Sequence, residues 1–311
     1  MKLISIISPC YNEQDNVEEL HRQIKQIFQN LEKYDYEHIF IDNASTDNTP
    51  EILRKMAEED TRVKVIINSR NFGHIRSPYY GILQGSGDAI IILASDLQDP
   101  PALIYEFIKK WEEGYKMALG VKTQSQEAHL MFFIRKLYYD LLSKLSDSDI
   151  KLVRNFTGFG LYDRSIIDII RNVEDPYPYF RGLICEVGFE KAIVEFNQPS
   201  RKRGITKNNF YTLYDNAMLG ITNHTKVPLR LATFIGFGLS LLSLLIALGY
   251  FVAKIVFWNN FSLGVAPIVI GIFFFASVQL FFIGILGEYI GAVLTQTLKR
   301  PLVIEKERIN F

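Results

Sequence analysis

The chain has 311 residues, 48% of them hydrophobic and 13% aromatic, and its 34 Lys and Arg balance 34 Asp and Glu to a formal net charge of zero. That balance excludes an overall electrostatic pull toward nucleic acid, and the length leaves room for one sizeable domain plus an extra module. The only cysteines, Cys10 and Cys185, are too few and too far apart for a disulfide framework and fit a reduced compartment.

No secretory leader is expected, because Met1-Lys2 runs straight into a strand-like stretch at residues 3–8. Further strand-like runs fall at 38–41, 63–67, 89–93 and 117–121, while 17–31 and 50–59 carry apolar residues at helical spacing. This alternation predicts a parallel sheet with helices on both faces. Neither G-x-G-x-x-G nor a P-loop follows the first strand, which argues against a dinucleotide or Walker-type phosphate site.

Polar residues collect where the strands end, the place where open α/β sheets bind ligands. The first strand leads into Pro9-Cys10-Tyr11-Asn12-Glu13, and the second into Asp42-Asn43-Ala44-Ser45-Thr46-Asp47. Tyr11 can stack on a nucleobase, and Asp42 or Asn43 can accept from a base N–H or a ribose hydroxyl. Ser45 and Asp47 are read as caps of the following helix. After the apolar run at 89–94 comes Ser95-Asp96-Leu97-Gln98-Asp99-Pro100-Pro101. Asp96, Gln98 and Asp99 offer oxygens to a hard divalent cation that shares its shell with substrate phosphates. The same Asp and Pro-Pro would also suit a plain helix start.

In the second half, residues 130–145 surround Arg135 and Lys136 with Phe132, Phe133, Leu137 and Leu141. That pattern suits an amphipathic helix on a bilayer surface, or equally a helix packed on the domain core. Residues 182–189 and 192–196 read as strands of a hairpin, and 210–219 as a second interfacial helix. No charge occurs from 231 to 253 or from 255 to 287, and about 20 apolar residues suffice to cross a bilayer. Lys254, Trp258, Asn259 and Asn260 mark the turn between these spans. Lys226 and Arg230 before them, and Lys299, Arg300, Lys306 and Arg308 after them, predict both ends in the cytoplasm and a short loop outside the inner or plasma membrane. Glu288 is expected to snorkel to the inner interface. Gly284, Gly287 and Gly291 permit close helix packing, within one chain or in a homo-oligomer.

Taken in order, the runs SPCYNE (8–13), IDNASTDNT (41–49), SRNFGH (69–74), SDLQDPP (95–101) and RKRGITK (201–207), followed by two spans, resemble glycosyltransferase family 2 and, within it, the polyprenyl-phosphate sugar synthases. The resemblance covers nearly the whole chain. It implies an α/β fold of GT-A type, a Rossmann-like mixed sheet, with interfacial amphipathic helices and a C-terminal two-helix transmembrane module. The implied division is a cytosolic catalytic domain at 1–205, a juxtamembrane helix at 206–228, spans near 231–256 and 264–292 within 229–298, and a cytosolic tail at 299–311.

The resemblance also implies an inverting, metal-dependent transfer of a hexose to a polyprenyl (undecaprenyl) phosphate at the cytosolic face. UDP-glucose is the favoured nucleotide sugar and GDP-mannose, with a dolichyl or polyprenyl acceptor, the alternative; a flippase would act downstream. Pro9, Tyr11, Glu13, Asp42, Asn43, Arg70 and Ser95 would frame the nucleotide. Asp96 and Gln98 would hold Mg2+ or Mn2+ against its diphosphate. Lys122, Arg135, Arg201 and Arg203 would grip the acceptor phosphate, with Asp96, Arg135 and Arg201 carrying catalysis. Two positions depart from the pattern, since Ala94 and Asn43 each stand where the family usually has Asp. Ser95 or Asp99 could then contribute to the metal through water. A processive synthase is disfavoured, because neither Trp111 nor Trp258 ends a Gln-x-x-Arg-Trp run. A non-catalytic membrane scaffold is the remaining rival, and it would have no reason to keep metal-dependent UDP binding.

Overall fold

Strand β1 (Lys2–Cys10) sends Ile4 and Ile6 to one face of the sheet and Ile7 to the other, all three fully buried. Burial on both faces marks an interior strand, and the β-branched side chains favour the pleated backbone. The computed structural model describes residues 1–123, 153, 155–199, 218–222, 225–257 and 265–311. Along these, β1 is followed by α1 (Val17–Gln29), β2 (Tyr34–Asp42), α2 (Thr49–Glu59), β3 (Val63–Asn68), α3 (Gly73–Gln84) and β4 (Ala89–Ile92). A 3-10 turn at Pro101–Leu103 opens α4 (Ile104–Glu112), and β5 (Met117–Lys122), β6 (Phe156–Asp163), α5 (Arg164–Asn172), α6 (Phe180–Glu186) and β7 (Lys191–Phe196) follow. Two long helices, α7 (Val227–Val256) and α8 (Val265–Thr297), precede a final strand, β8 (Glu305–Ile309).

The strands form one mixed sheet in the order β7-β5-β6-β4-β1-β2-β3-β8. β6 runs against β4 and β5, and β8 against β3; the other pairings are parallel. Leu20 and Ile24 of α1, Leu53 of α2 and Phe107 of α4 cover one face. Tyr79 and Ile82 of α3, Ile166 and Ile170 of α5 and Ile184 of α6 cover the other. The result is the three-layer α/β arrangement that the alternation of apolar periods predicts.

Helix α3 has no clear sequence signal, since Gly73, Pro78 and Gly81 all read as breakers. Packing overrides them. A Cβ on Gly81 would lie 3.0 Å from Ile41 Cγ2 and 3.1 Å from Ile7 Cγ2, so the helix rests directly on the sheet. The expected strand at 182–189 is instead α6, where Phe180, Ile184 and the pair Leu183 and Val187 recur at helical spacing on the core. β7 forms as expected but pairs in parallel with β5, so there is no hairpin. Residues 130–145 and 210–217 lie outside the described residues, while 218–222 are helical.

Helices α7 and α8 contain candidate membrane spans at Val227–Ile246 and Gly271–Thr297, with mean hydropathies of 2.0 and 1.8 and no burial inside the structure. Trp258, Asn259 and Asn260 lie outside the described residues. The expected tail at 299–311 is ordered into the sheet. Ile309 pairs with Val65 and Arg308 with Ile66, Arg54 Nη2 donates to Glu307 Oε2 at 2.8 Å, and Asn310 Nδ2 donates to Ala57 O at 2.7 Å and Val63 O at 2.9 Å. Charges on this edge strand hide it from a periodicity reading, and they also guard an open sheet edge.

Candidate active site

Because β1, β2, β3, β4 and β5 run in one direction, their carboxyl ends share one edge of the sheet, with Cys10 beside Asp42 and Ile7 beside Ile92. The three polar clusters therefore share that edge, as the sequence predicts, and Arg70 after β3 and Lys122 at the end of β5 lie on it as well. The first two loops are stitched together. Asn12 N donates to Ser45 Oγ at 2.8 Å, Thr46 N to Asn12 Oδ1 at 2.8 Å, and Glu13 N to Thr49 Oγ1 at 2.9 Å. One non-glycine residue in each loop adopts left-handed backbone: Asn12 (φ 58°), Ala44 (φ 60°) and Leu97 (φ 58°). Such residues cost on the order of 1 kcal/mol and persist where surrounding bonds over-determine them, commonly at functional sites.

Asp42 has no exposed surface, and it accepts from Ser45 N at 3.0 Å and from Ser45 Oγ. Burial pushes its pKa up, against those bonds. Its oxygens thus shape the loop, and Ser45 joins Asp42 to Asn12 instead of capping α2. Asp47 does hold the start of α2, accepting from Thr49 N at 3.0 Å and Thr49 Oγ1 at 2.6 Å. Pro9, Tyr11 and Glu13 are half-buried at the edge, and Asn16 Nδ2 donates to Glu13 Oε2 at 2.6 Å.

Asn43 is the bridge to the β3 loop. Its Nδ2 donates to Asn71 Oδ1 at 3.0 Å and Gly73 O at 3.1 Å, and its Oδ1 accepts from Phe72 N at 2.8 Å and Asn68 Nδ2 at 3.3 Å. Both donors and acceptors of the amide are used, so a carboxylate here would face two oxygens without a proton. Asn43→Asp is expected to destabilise the protein by about 1–3 kcal/mol, seen as a thermal midpoint lowered by several degrees; an unchanged midpoint would refute the bridging role. Sequence reasoning missed Asn68 and Asn71 as partners. The only signal was an asparagine after each of two strands.

The third loop carries Ser95, Asp96, Gln98 and Asp99. Asp96 is half-buried, and its Oδ1 accepts from Gln98 N at 3.2 Å. Ser95 is 1% exposed, and its Oγ has no hydrogen-bond partner. Asp99 is buried and accepts from the Ala94 backbone; burial pushes its pKa up to about 6, opposed by the Lys122 cation and aided by the Asp96 charge. Among the described residues no three His, Cys, Asp or Glu side chains converge as a metal cage. One carboxylate and one amide oxygen, beside an orphaned hydroxyl, still fit Mg2+ or Mn2+, which keep waters and complete their shell with substrate phosphates.

Arg70 is exposed, its Nη1 donating to Asn71 O at 3.1 Å and its guanidinium lying 4.0 Å from the Phe72 ring centre. Arg135, Arg201 and Arg203 lie outside the described residues. His74, read from sequence as structural, is exposed in the first turn of α3.

The sequence profile of glycosyl transferase family 2 matches residues 5–168. The bactoprenol glucosyl transferase of Shigella phage SfII is 32% identical over 305 residues, covering 98% of this chain and 97% of that protein. The uncharacterized glycosyltransferase YkcC of Bacillus subtilis (strain 168) is 34% identical over 301 residues, covering 96% of this chain and 92% of that protein. In fold, the chain is similar to the glucosyl-3-phosphoglycerate synthase of Mycobacterium tuberculosis, crystallised with Mn2+, UDP and phosphoglyceric acid, with a TM-score of 0.50 at 18% identity over 71% of this chain and 76% of that one. With the mixed sheet, the loops at its carboxyl edge and relatives matched from end to end, the chain belongs to glycosyl transferase family 2.

Proposed function

We propose that the protein transfers glucose from UDP-glucose to a polyprenyl phosphate at the cytosolic membrane face, with inversion at the anomeric carbon. The observation that carries this reading is the similarity to bactoprenol glucosyl transferases, which extends through the sheet domain and both apolar helices. Helices α7 and α8 are read as a membrane hairpin. The pairing of β8 with β3 supports that, because the chain returns from α8 to the sheet it left.

A lipid phosphate, with a second pKa near 6, is already an anionic nucleophile at neutral pH, so no general base is required. The protein's task is to hold two phosphate groups together against their repulsion and to align attack. Lys122, at the end of β5, is assigned to the acceptor phosphate with Arg135, Arg201 and Arg203. Pro9, Tyr11, Glu13 and Arg70 are assigned to the nucleotide, whose loops Asp42 and Asn43 hold in place. Asp96 and Gln98 would hold Mg2+ or Mn2+, with Ser95 beside them. When bound, that cation offsets charge growing on the leaving diphosphate.

The test is transfer of radiolabelled sugar to polyprenyl phosphate in detergent, with UDP-glucose and GDP-mannose offered separately. Labelling from UDP-glucose that stops on chelation is expected. Labelling from GDP-mannose alone would correct the donor, and no labelling with retained membrane insertion would favour a scaffold.

A further inference from the structure

Arg76, in the first turns of α3, is half-buried, and its Nε is shut off from solvent without a hydrogen-bond partner. Its Nη2 donates to the carbonyl of Pro301, so the guanidinium meets the segment that leaves α8. The guanidinium of Arg76 lies 5.4 Å from the Phe72 ring centre, the same ring that Arg70 covers at 4.0 Å. Arg300 is exposed three residues beyond the last residue of α8. Burial first, then the Arg70 charge, lower the Arg76 pKa; Tyr177 opposes them, and the Arg300 charge lowers it further. Asp175 Oδ1 accepts from Gln296 Nε2 and Tyr177 N, both at 2.8 Å. Among the described residues no carboxylate pairs with Arg70, Arg76 or Arg300, and a cluster of arginines suits an anion, since arginine forks match phosphate oxygens.

We propose that Arg76 and Arg300 seat the phosphate of an anionic phospholipid in the cytosolic leaflet. Position selects this occupant. Arg300 follows α8 at the level where a span ends, where headgroups lie and basic residues attract anionic lipid. The sheet order puts β3 and its loop on the opposite side of β4 and β1 from β5, whose end carries Lys122 of the assigned acceptor site. The seat is therefore separate from the acceptor phosphate, and it fixes the tilt of the sheet domain on the bilayer through α3. This inference rests on reading α7 and α8 as membrane spans. Extraction by detergent and not by alkaline carbonate tests that reading by itself.

The decisive experiment is native mass spectrometry of the full chain in detergent, titrated with phosphatidylglycerol, phosphatidylcholine or polyprenyl phosphate. The wild-type protein is expected to retain phosphatidylglycerol about tenfold better than phosphatidylcholine, a magnitude in line with two charge-assisted contacts. Arg300→Gln and Arg76→Gln should each remove most of that preference, while Lys306→Gln on β8 should keep it. Arg300 is exposed, so its variant reports on binding even where Arg76→Gln lowers the melting temperature. Undiminished phosphatidylglycerol retention in Arg300→Gln and in folded Arg76→Gln would overturn the proposal. So would displacement of phosphatidylglycerol by equimolar polyprenyl phosphate, which would make this the acceptor's site.

Discussion

Asp96→Asn is expected to lower sugar transfer by about 10²- to 10³-fold while leaving the thermal midpoint unchanged. The two halves of that expectation come from the same carboxylate. Its Oδ1 accepts from Gln98 N at 3.2 Å, a contact that an asparagine Oδ1 reproduces. What asparagine cannot reproduce is the negative charge, and Ala94 offers no carboxylate beside it. The loop would then hold Leu97 in its left-handed conformation as before, with a neutral amide where the cation is assigned. Binding of Mn2+ in the presence of UDP, followed by the relaxation of water protons, separates this from a folding defect. A variant with wild-type transfer would sink the metal role of Asp96. A variant that lost transfer but kept Mn2+ affinity would move Asp96 from the metal to the sugar.

The second large effect is expected at Glu37, far from any candidate ligand. Its carboxylate is 3% exposed, and four contacts converge on it. Ser5 Oγ and Ser86 Oγ donate to Oε1, as does Ser86 N at 2.6 Å, and Lys64 Nζ donates to Oε2 at 2.6 Å. One side chain thereby ties β1, β2, β3 and the turn between α3 and β4. Removing one member of a buried, hydrogen-bonded pair costs about 3–5 kcal/mol, and Glu37→Ala should fall near the lower figure, because Lys64 can turn toward water. Burial pushes the Glu37 pKa up, but the bonds from Lys64, Ser5 and Ser86 outweigh it and hold the group below its ordinary value. A carboxylate whose folded pKa lies below its unfolded value of about 4.3 contributes stability above that pH and loses it as pH falls. Glu37→Gln should therefore flatten the acid side of the stability profile between pH 5 and 3 (approximate bounds from the same principle). Denaturation midpoints across that range, identical in wild type and Glu37→Gln, would refute the assignment.

The sheet was legible where isoleucines and valines repeat, as in β1, β3 and β4, because burial on both faces writes itself as an apolar run. α3 and β8 were not. The first is held by close contact of Gly81 with Ile41 and Ile7, and the second by backbone pairing and the Arg54–Glu307 ion pair. Both depend on residues distant in the chain, which a local pattern does not contain. α6 was misread because a short apolar stretch of Leu183, Ile184 and Cys185 satisfies either period. At the site, the positions of Tyr11, Asp42 and Asp96 followed from their place at strand ends. The hydrogen bonds of Asp42 and Asn43 did not, since their partners lie in loops that only folding brings together.

The final strand has a consequence for biogenesis. β8 is synthesised after both apolar helices, and its partner β3 waits with an open edge until then. With α7 and α8 spanning the bilayer as proposed, the domain would close its sheet only if the hairpin crossed an even number of times and returned the chain to the side it started from. A polypeptide with one helix left uninserted or inserted backwards would keep β8 away from β3 and present a bare strand edge to proteases and chaperones. On that proposed topology, β8 would link closure of the sheet domain to correct passage through the membrane.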